Sequence, residues 1–558
     1  MRKYIAATAL SVLCGLHSFA QEPSSYAPAS PLRIPLFLAG NFGELRNNHF
    51  HSGIDFKTQG KIGIPVYSFD EGYVSRIMVA PTGNGKALYI NHPNGLTSVY
   101  LHLDHFSPEL DVLFEDLQYK AESYTIDHKF KENEIPVKKG QLIAYSGNSG
   151  SSAGPHLHFE VRDTKTEETF DPLFYFRYLI KDHIAPQAEA VMIYPMLYDG
   201  VINGLMQKKQ YSVVNKSLQQ VPLVWGKIAL GIKAFDHKDQ LSNIYGVKKI
   251  QLLVDGKLIY TSRINRFPFH DTRYVNSFID YNEWRLHRSL FMKSYVEPGN
   301  KMDIYENVQN AGIIDIDQER DYKVKYILID EYQNTSEVNF TLRGKKQEIP
   351  LVKIDCHDKI FWNKNEKFKE KNVKLEIPAG TFYDDFCFKY DVKKSPRFYA
   401  DIHSLHTPDV PFHSYAELSI KVEQDTLQDK SKYYLAKVTG GRPSYVGGTY
   451  KKGWVTGSIR EFGEYSVAAD FHPPVILPLK SGLHNQIHIR ISDYESGIAY
   501  YKGTIDGKFA LFEYDPRKAL LVCKLSAKHV AEKQQHLLKL VVRDGCGNES
   551  TYDNSFFW

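Results

Sequence analysis

Gly147-Asn-Ser-Gly-Ser-Ser-Ala-Gly154-Pro155-His156-Leu-His158-Phe-Glu-Val161 is the stretch on which the fold turns. A glycine- and serine-rich run ends at a proline, and an alternating polar and apolar run starts at once. Such alternation, bounded by turn residues, predicts a β-strand with one buried face. His156 and His158 then project from the same face, because side chains alternate along an extended chain. The run before them lacks the Lys-Ser/Thr ending of a phosphate-binding loop. Its glycines predict an open-backbone approach to a groove that admits an extended peptide.

The same rhythm runs upstream. Gly63-Ile-Pro-Val-Tyr-Ser-Phe, Gly72-Tyr-Val-Ser-Arg-Ile-Met-Val, Ala87-Leu-Tyr-Ile-Asn-His and Leu142-Ile-Ala-Tyr-Ser are short strand-like runs bounded by Gly, Pro or Asn. Residues 32–185 therefore read as an all-β unit. One segment breaks the pattern. Around 107–134, Pro108-Glu-Leu-Asp-Val-Leu-Phe-Glu-Asp-Leu is acidic, with apolar positions at helical spacing, and reads as an insertion.

Two further histidines frame a candidate metal site. His51-Ser-Gly-Ile-Asp55 places an imidazole and a carboxylate four positions apart, with Gly53 between them favouring a strand-to-turn segment over a helix. His102 follows in Tyr100-Leu-His102-Leu. Two imidazoles and a carboxylate form the donor set of tetrahedral zinc, and a fourth position left to water makes such a site catalytic. No His-Glu-x-x-His occurs, so the glutamate base of that protease class is absent and the spare imidazoles must move the protons.

Arg2, Lys3, the apolar run Ile5 to Leu16 and Ser18-Phe19-Ala20 resemble a cleaved export signal over residues 1–20. The apolar run is shorter than the ~20 residues of a spanning helix, and no other segment spans a bilayer. The chain is thus expected in the periplasm, in the cell envelope or outside the cell. A net charge of +4 over 558 residues argues against nucleic acid as a partner. Past the signal, Cys356, Cys387, Cys523 and Cys546 lack metal-ribbon spacing; proximity suggests Cys356–Cys387 and Cys523–Cys546 bridges, with simple free thiols as the other reading.

The chain beyond the all-β unit holds an internal repeat. Ile232-Lys-Ala-Phe-Asp236 is echoed by Ile489-Arg-Ile-Ser-Asp493, and Asp255-Gly-Lys by Asp506-Gly-Lys. Asp330-Glu-Tyr-Gln-Asn334 is echoed by Asp544-Gly-Cys-Gly-Asn548. Asp-Gly between alternating runs signals a hairpin, and Asp-x-x-x-Asn a turn closed by side-chain bonds. The copies, 190–346 and 481–558, resemble immunoglobulin-like β-sandwiches. Residues 347–480 between them read as a further β-rich domain whose aromatic residues form its core.

Taken in order, Phe50-His51-Ser-Gly-Ile-Asp55-Phe, Pro65-Val-Tyr-Ser-Phe-Asp-Glu-Gly72-Tyr-Val, Tyr100-Leu-His102-Leu, Val137-Lys-Lys-Gly140-Gln-Leu-Ile and the 147–161 stretch resemble the lysostaphin-type (LytM-type) zinc endopeptidases. The resemblance implies a barrel-sandwich hybrid β-fold (a duplicated hybrid motif) with an open groove. It implies His51, Asp55 and His158 as zinc (Zn2+) ligands, with His102 and His156 as catalytic histidines that do not bind the metal. The implied reaction is hydrolysis of peptide cross-links in bacterial peptidoglycan. The tail modules do not look like the short wall-binding modules that often accompany this family. An envelope adaptor or activator that recruits a protein partner through its immunoglobulin-like domains is therefore the alternative reading.

Overall fold

In the computed structural model, residues 27–351, 356–480 and 485–558 are described. The expected export signal, residues 1–20, lies outside them. Among the described residues no helix is long and apolar enough to cross a membrane. The protein is nearly all β.

The N-terminal unit is built from β1 (Leu38–Gly40), β2 (Leu45–Arg46), β3 (His49–Phe50), β4 (Ile54–Lys57), β5 (Pro65–Tyr67), β6 (Gly72–Val79), β7 (Lys86–Asn91) and β8 (Leu96–Leu103). It continues with β9 (His105–Phe106), α1 (Pro108–Ala121), β10 (Ile126–Lys129), β11 (Pro136–Val137), β12 (Leu142–Tyr145), β13 (His156–Asp163) and β14 (Glu168–Phe170). One sheet runs β1-β4-β13-β8-β7-β6-β10, with β14 added on β13; a second runs β5-β12-β9. Val66, Ile143 and Phe106 of the small sheet share one core with Ile54, Phe56, Leu157, Phe159 and Val161 of the large one. The predicted alternation in β13 holds: Leu157, Phe159 and Val161 are fully buried on the core face, which leaves His156, His158 and Glu160 to the other.

The 107–134 segment is a helix followed by an edge strand. Pro108 opens α1, where its missing N–H costs nothing, and Asp111 accepts from the Phe106 amide at 3.0 Å. Leu110 and Phe114 pack inward. β10 then pairs with β6 and widens the main sheet.

Residues 187–344 form an eleven-stranded sheet. Their core is continuous with that of the N-terminal unit: Val191, Ile232, Leu252 and Leu328 belong to the same buried cluster as Phe56 and Phe159. The strand Arg266–Pro268 pairs with β14 and so extends the N-terminal sheet itself. Residues 360–467 build a separate core between two five-stranded sheets, filled by aromatics such as Phe382, Phe412 and Phe462. The last module is a sandwich of two four-stranded sheets.

The repeat is visible in three dimensions. In the first copy Lys257–Arg263, Lys249–Val254, Asp321–Ile329 and Thr335–Gly344 are neighbours in that order; in the second, Lys508–Ala510, Ile498–Ile505, Gln535–Asp544 and Glu549–Phe557. Asp255-Gly256 and Asp506-Gly507 both turn with positive φ (50° and 78°; 51° and 77°), as tight two-residue hairpins require. Asp330 accepts from the backbone and side-chain amides of Asn334, as Asp544 does from Asn548. The copies differ elsewhere, because in the first a parallel pairing of Leu223–Val224 with Arg343–Gly344 merges everything into one sheet.

Cys356 and Cys387 form a disulfide. The expected Cys523–Cys546 pair does not form; both are free and buried. Cys523 packs in the core of the last sandwich, whereas Cys546 packs against Tyr434 and Ala468 of the preceding module. Closeness in sequence does not bring the two thiols to one core.

Candidate metal centre

Register builds the site. Across the antiparallel β4–β13 ladder His158 stands opposite Asp55, and across β13–β8 it stands opposite Leu101, one residue from His102. His51 lies just ahead of β4. The β4 approach needs Gly53: a Cβ there would lie 2.3 Å from the Phe159 carbonyl and 2.8 Å from Glu160 Cγ. All five residues singled out in the sequence therefore converge.

His51 Nε2, Asp55 Oδ1 and His158 Nδ1 are mutually 2.9–3.1 Å apart. All three residues are buried, with 2–5 % exposure. The outer nitrogens of both rings are committed. His51 Nδ1 donates to the Asn41 carbonyl at 2.7 Å, and His158 Nε2 donates to Glu160 Oε1 at 2.9 Å. A neutral imidazole that donates through one nitrogen presents a lone pair at the other. Two lone pairs and a carboxylate oxygen thus face one point, an arrangement that demands a positive charge between them. Their chemistry fits a divalent metal with nitrogen and oxygen preference.

The electrostatics carry the same demand. Burial drives His51 down to about 4. Burial also acts to lower His158, but the Asp55 and Glu160 carboxylates outweigh it and raise it to about 9. Burial acts to raise Asp55, yet the imidazoles of His51, His156 and His158 hold it well below the usual carboxylate range.

His102 and His156 sit beside the cluster. Their ring centroids are 5.0 Å apart, His102 is 6.0 Å from His158, and His156 Nε2 is 3.4 Å from Asp55 Oδ1. Each is oriented by the glycine-rich loop: His102 Nδ1 donates to the Ser149 carbonyl at 3.0 Å and His156 Nδ1 to the Gly154 carbonyl at 2.8 Å. Burial, with His158 and His156 alongside, lowers His102 to about 3. Its backbone is left-handed, with φ at 61°, next to a bulge in the β7–β8 ladder. This conformation costs a non-glycine residue about 1 kcal/mol or more, and such strain concentrates at functional sites.

The loop glycines differ in what surrounds them. A Cβ on Gly150 would lie 2.3 Å from the Gly85 amide nitrogen and 2.4 Å from the Gly83 carbonyl. This glycine lets the loop press against the 83–85 turn, backbone to backbone. Gly154 faces open space instead, with nothing within 4 Å of where a Cβ would lie.

Several residues around the site were not evident from the sequence. Glu160 takes Ser52 Oγ and Arg162 Nε at 2.6 Å each besides His158. Burial would raise its pKa, but Arg162, His158 and Ser52 hold it at about 2, a permanent anion behind His158. Arg46 of β2 reaches Asp55 Oδ2 at 2.5 Å. Asn41, whose carbonyl holds His51, is clamped through its side chain by both backbone groups of Gly246, at 2.9 and 3.1 Å. The position of Glu160 in His-Leu-His-Phe-Glu was the one available signal, since it shares the face of His158; the others come from distant chain segments.

Residues 123–172 match the sequence profile of Peptidase family M23, and residues 357–470 that of a Zu5-like domain. The chain carries an M23 (LytM-type) peptidase domain. The M23 match includes His156 and His158, while His51, Asp55 and His102 join them through the register described above. Among curated proteins the chain is similar to peptidoglycan DD-endopeptidase ShyB of Vibrio cholerae, 36 % identical over 111 residues, 20 % of each chain. It is also similar to the DD-carboxypeptidase/endopeptidase Mpg of Neisseria meningitidis, 30 % identical over 112 residues, again 20 % of each. The chain thus spans about a fifth of the length of these relatives. Among solved structures it resembles a zinc-containing peptidase from Vibrio cholerae (32 % identity, 24 % of this chain and 35 % of that one, TM-score 0.18). It also resembles the lysostaphin catalytic domain of Staphylococcus simulans (23 %, 25 % and 93 %, TM-score 0.20). Those curated relatives are named as peptidases that act on peptidoglycan.

Proposed function

We propose that the chain is an exported zinc metallo-endopeptidase that hydrolyses peptide bonds in peptidoglycan cross-links. His51, Asp55 and His158 hold the metal, and His102 and His156 handle protons and the oxyanion. One observation carries the reading: two imidazole lone pairs and a carboxylate oxygen meet within 3.1 Å, each ring locked by a bond from its other nitrogen. The DD-endopeptidase activity named for the relatives supports a D,D-peptide bond as the scissile one, rather than a glycine bridge.

Zinc, when bound, supplies a Lewis acid for the scissile carbonyl and makes water acidic near neutral pH. The remaining work belongs to side chains. His102 and His156 each spend the Nδ1 proton on a loop carbonyl, so each offers a bare Nε2. One such nitrogen takes the proton of the attacking water as its oxygen bonds to the carbonyl carbon. An imidazolium N–H then donates to the departing amine as the C–N bond breaks. The other ring, carrying a proton taken from solvent before the attack, donates its Nε2–H to the developing oxyanion and keeps that proton when the product leaves. Glu160 keeps His158 in the tautomer that points Nδ1 inward, and Arg46 fixes the Asp55 carboxylate by its second oxygen.

The test is digestion of purified sacculi by the mature protein, with the fragments identified by mass. Cleaved cross-link peptides that vanish with a chelator and return with zinc are expected. Intact cross-links in the presence of zinc would refute the proposal.

A further inference from the structure

The loop 147–155 holds the Nδ1 protons of both non-ligand histidines, so whatever holds the loop sets the geometry of the rings. Its inner side is fixed to the body of the N-terminal unit. Ser151 N donates to the Gly83 carbonyl (2.8 Å), Ser149 Oγ donates to the Leu103 carbonyl (2.7 Å), and Ser151 Oγ and Ser149 Oγ accept from the Gly83 and Lys86 amides (2.9 Å each). Its outer side faces a cleft of about 770 Å³ bordered by the C-terminal sandwich. One side chain bridges that gap. Arg517 Nη1 donates to the Ser152 carbonyl at 2.8 Å, across 365 positions of sequence. The rest of its guanidinium is held by Asp515, with Nε at 3.0 Å and Nη2 at 3.3 Å. Ser152 is buried, and its hydroxyl meets the Gly154 carbonyl at 2.8 Å and His156 Nδ1 at 3.2 Å. Arg517 is therefore separated from the His156 ring by a single residue, Ser152.

The insertion makes this contact possible. The outward face of α1 is where the C-terminal sandwich docks: Lys528 reaches Glu115 and Asp116 (3.2 and 2.7 Å), and His529 stacks on Tyr119 at 3.6 Å between centroids. Lys502 pairs with Glu122 just past the helix, and Glu513 with Lys86. Each exposed pair is weak alone, and several act in parallel, so the loss of any one leaves the sandwich docked and Arg517 at the loop.

We propose that Arg517 is a positioning residue of the hydrolytic site. The last β-module thus completes the active centre from across the chain, rather than serving as a remote anchor. The inference rests on the hydrolase reading. In the full chain, Arg517→Ala is expected to lower kcat about tenfold, the usual size of such outer contacts, with KM and zinc content unchanged. Amide exchange at Gly150–Ser152 should rise at least about tenfold, and Arg517→Lys should restore part of both effects. Lys502→Ala, which removes a docking pair without touching the loop, should leave rate and exchange as in the wild type. Unchanged loop exchange and kcat in Arg517→Ala would overturn the inference, as would equal losses in Lys502→Ala. A wild-type chain that cleaves no cross-link would refute only the hydrolase reading, because loop exchange reports on Arg517 without catalysis.

Discussion

His158 Nδ1 lies 2.9 Å from Asp55 Oδ1, and the two residues stand opposite each other across the β4–β13 ladder. Cross-strand partners are the closest side-chain pairs a sheet offers, so the geometry of the pair is set by strand register. A one-residue slip would turn both groups to the opposite face. From this pair the ligand roles become testable.

Replacing His51 or His158 by alanine is expected to abolish both zinc content and muropeptide cleavage. His102→Ala should retain the metal and lose turnover by about 10²–10⁴-fold, the range typical of acid–base residues. Metal analysis and fragment chromatography on the same preparations separate the two outcomes.

Glu160→Gln removes the anion that accepts from His158 and leaves Arg162 without its carboxylate. Zinc affinity is expected to fall about 10–100-fold. A competition titration with a chelator of known affinity measures it, and equal affinity would show that Glu160 does not support the metal.

Gly53→Ala places a methyl group 2.3 Å from the Phe159 carbonyl, where only backbone can give way. The expected cost is about 1–3 kcal/mol, the scale of overpacking in a close-packed interior, with loss of zinc as β4 moves from β13. Thermal unfolding with metal analysis reports both.

Asp236 gives the chain a pH-dependent element away from the metal. Burial pushes its carboxyl up to about 7 against the pull of Lys238, with Asp182 and Asp330 adding to the rise. Its Oδ1 has no hydrogen-bond partner among the described residues. A carboxyl raised on folding binds its proton more tightly in the native state, so stability falls as pH rises from about 4 to about 7. Asp236→Asn should flatten that dependence and stabilise the protein above pH 7. Denaturant titrations at pH 5 and pH 8 show it; an unchanged difference between them would refute the assignment.

Much of the site was legible in the sequence because its chemistry is local. His156 and His158 sit on one face by strand alternation alone, and Asp55 follows His51 within a single short approach to β4. The hairpin turns of the repeat were legible for the same reason: Asp-Gly specifies its backbone whatever surrounds it. The Cys523–Cys546 pairing failed because each thiol is claimed by a different core, which distance along the chain does not reveal. The insertion was legible as a break in the strand pattern, but nothing local shows that the C-terminal sandwich takes its outer face.

The sequence alone determined the all-β character, the face that each histidine of β13 presents and the five residues that gather at the candidate metal centre. These follow from side-chain alternation and donor chemistry, both properties of short segments. Tertiary structure alone decided which groups support them. Asn41 clamped by Gly246, Glu160 locked by Ser52 and Arg162, and Ser152 held by Arg517 join positions up to hundreds of residues apart. Such contacts arise when separate sheets are packed together, and no local pattern encodes which distant surfaces will meet.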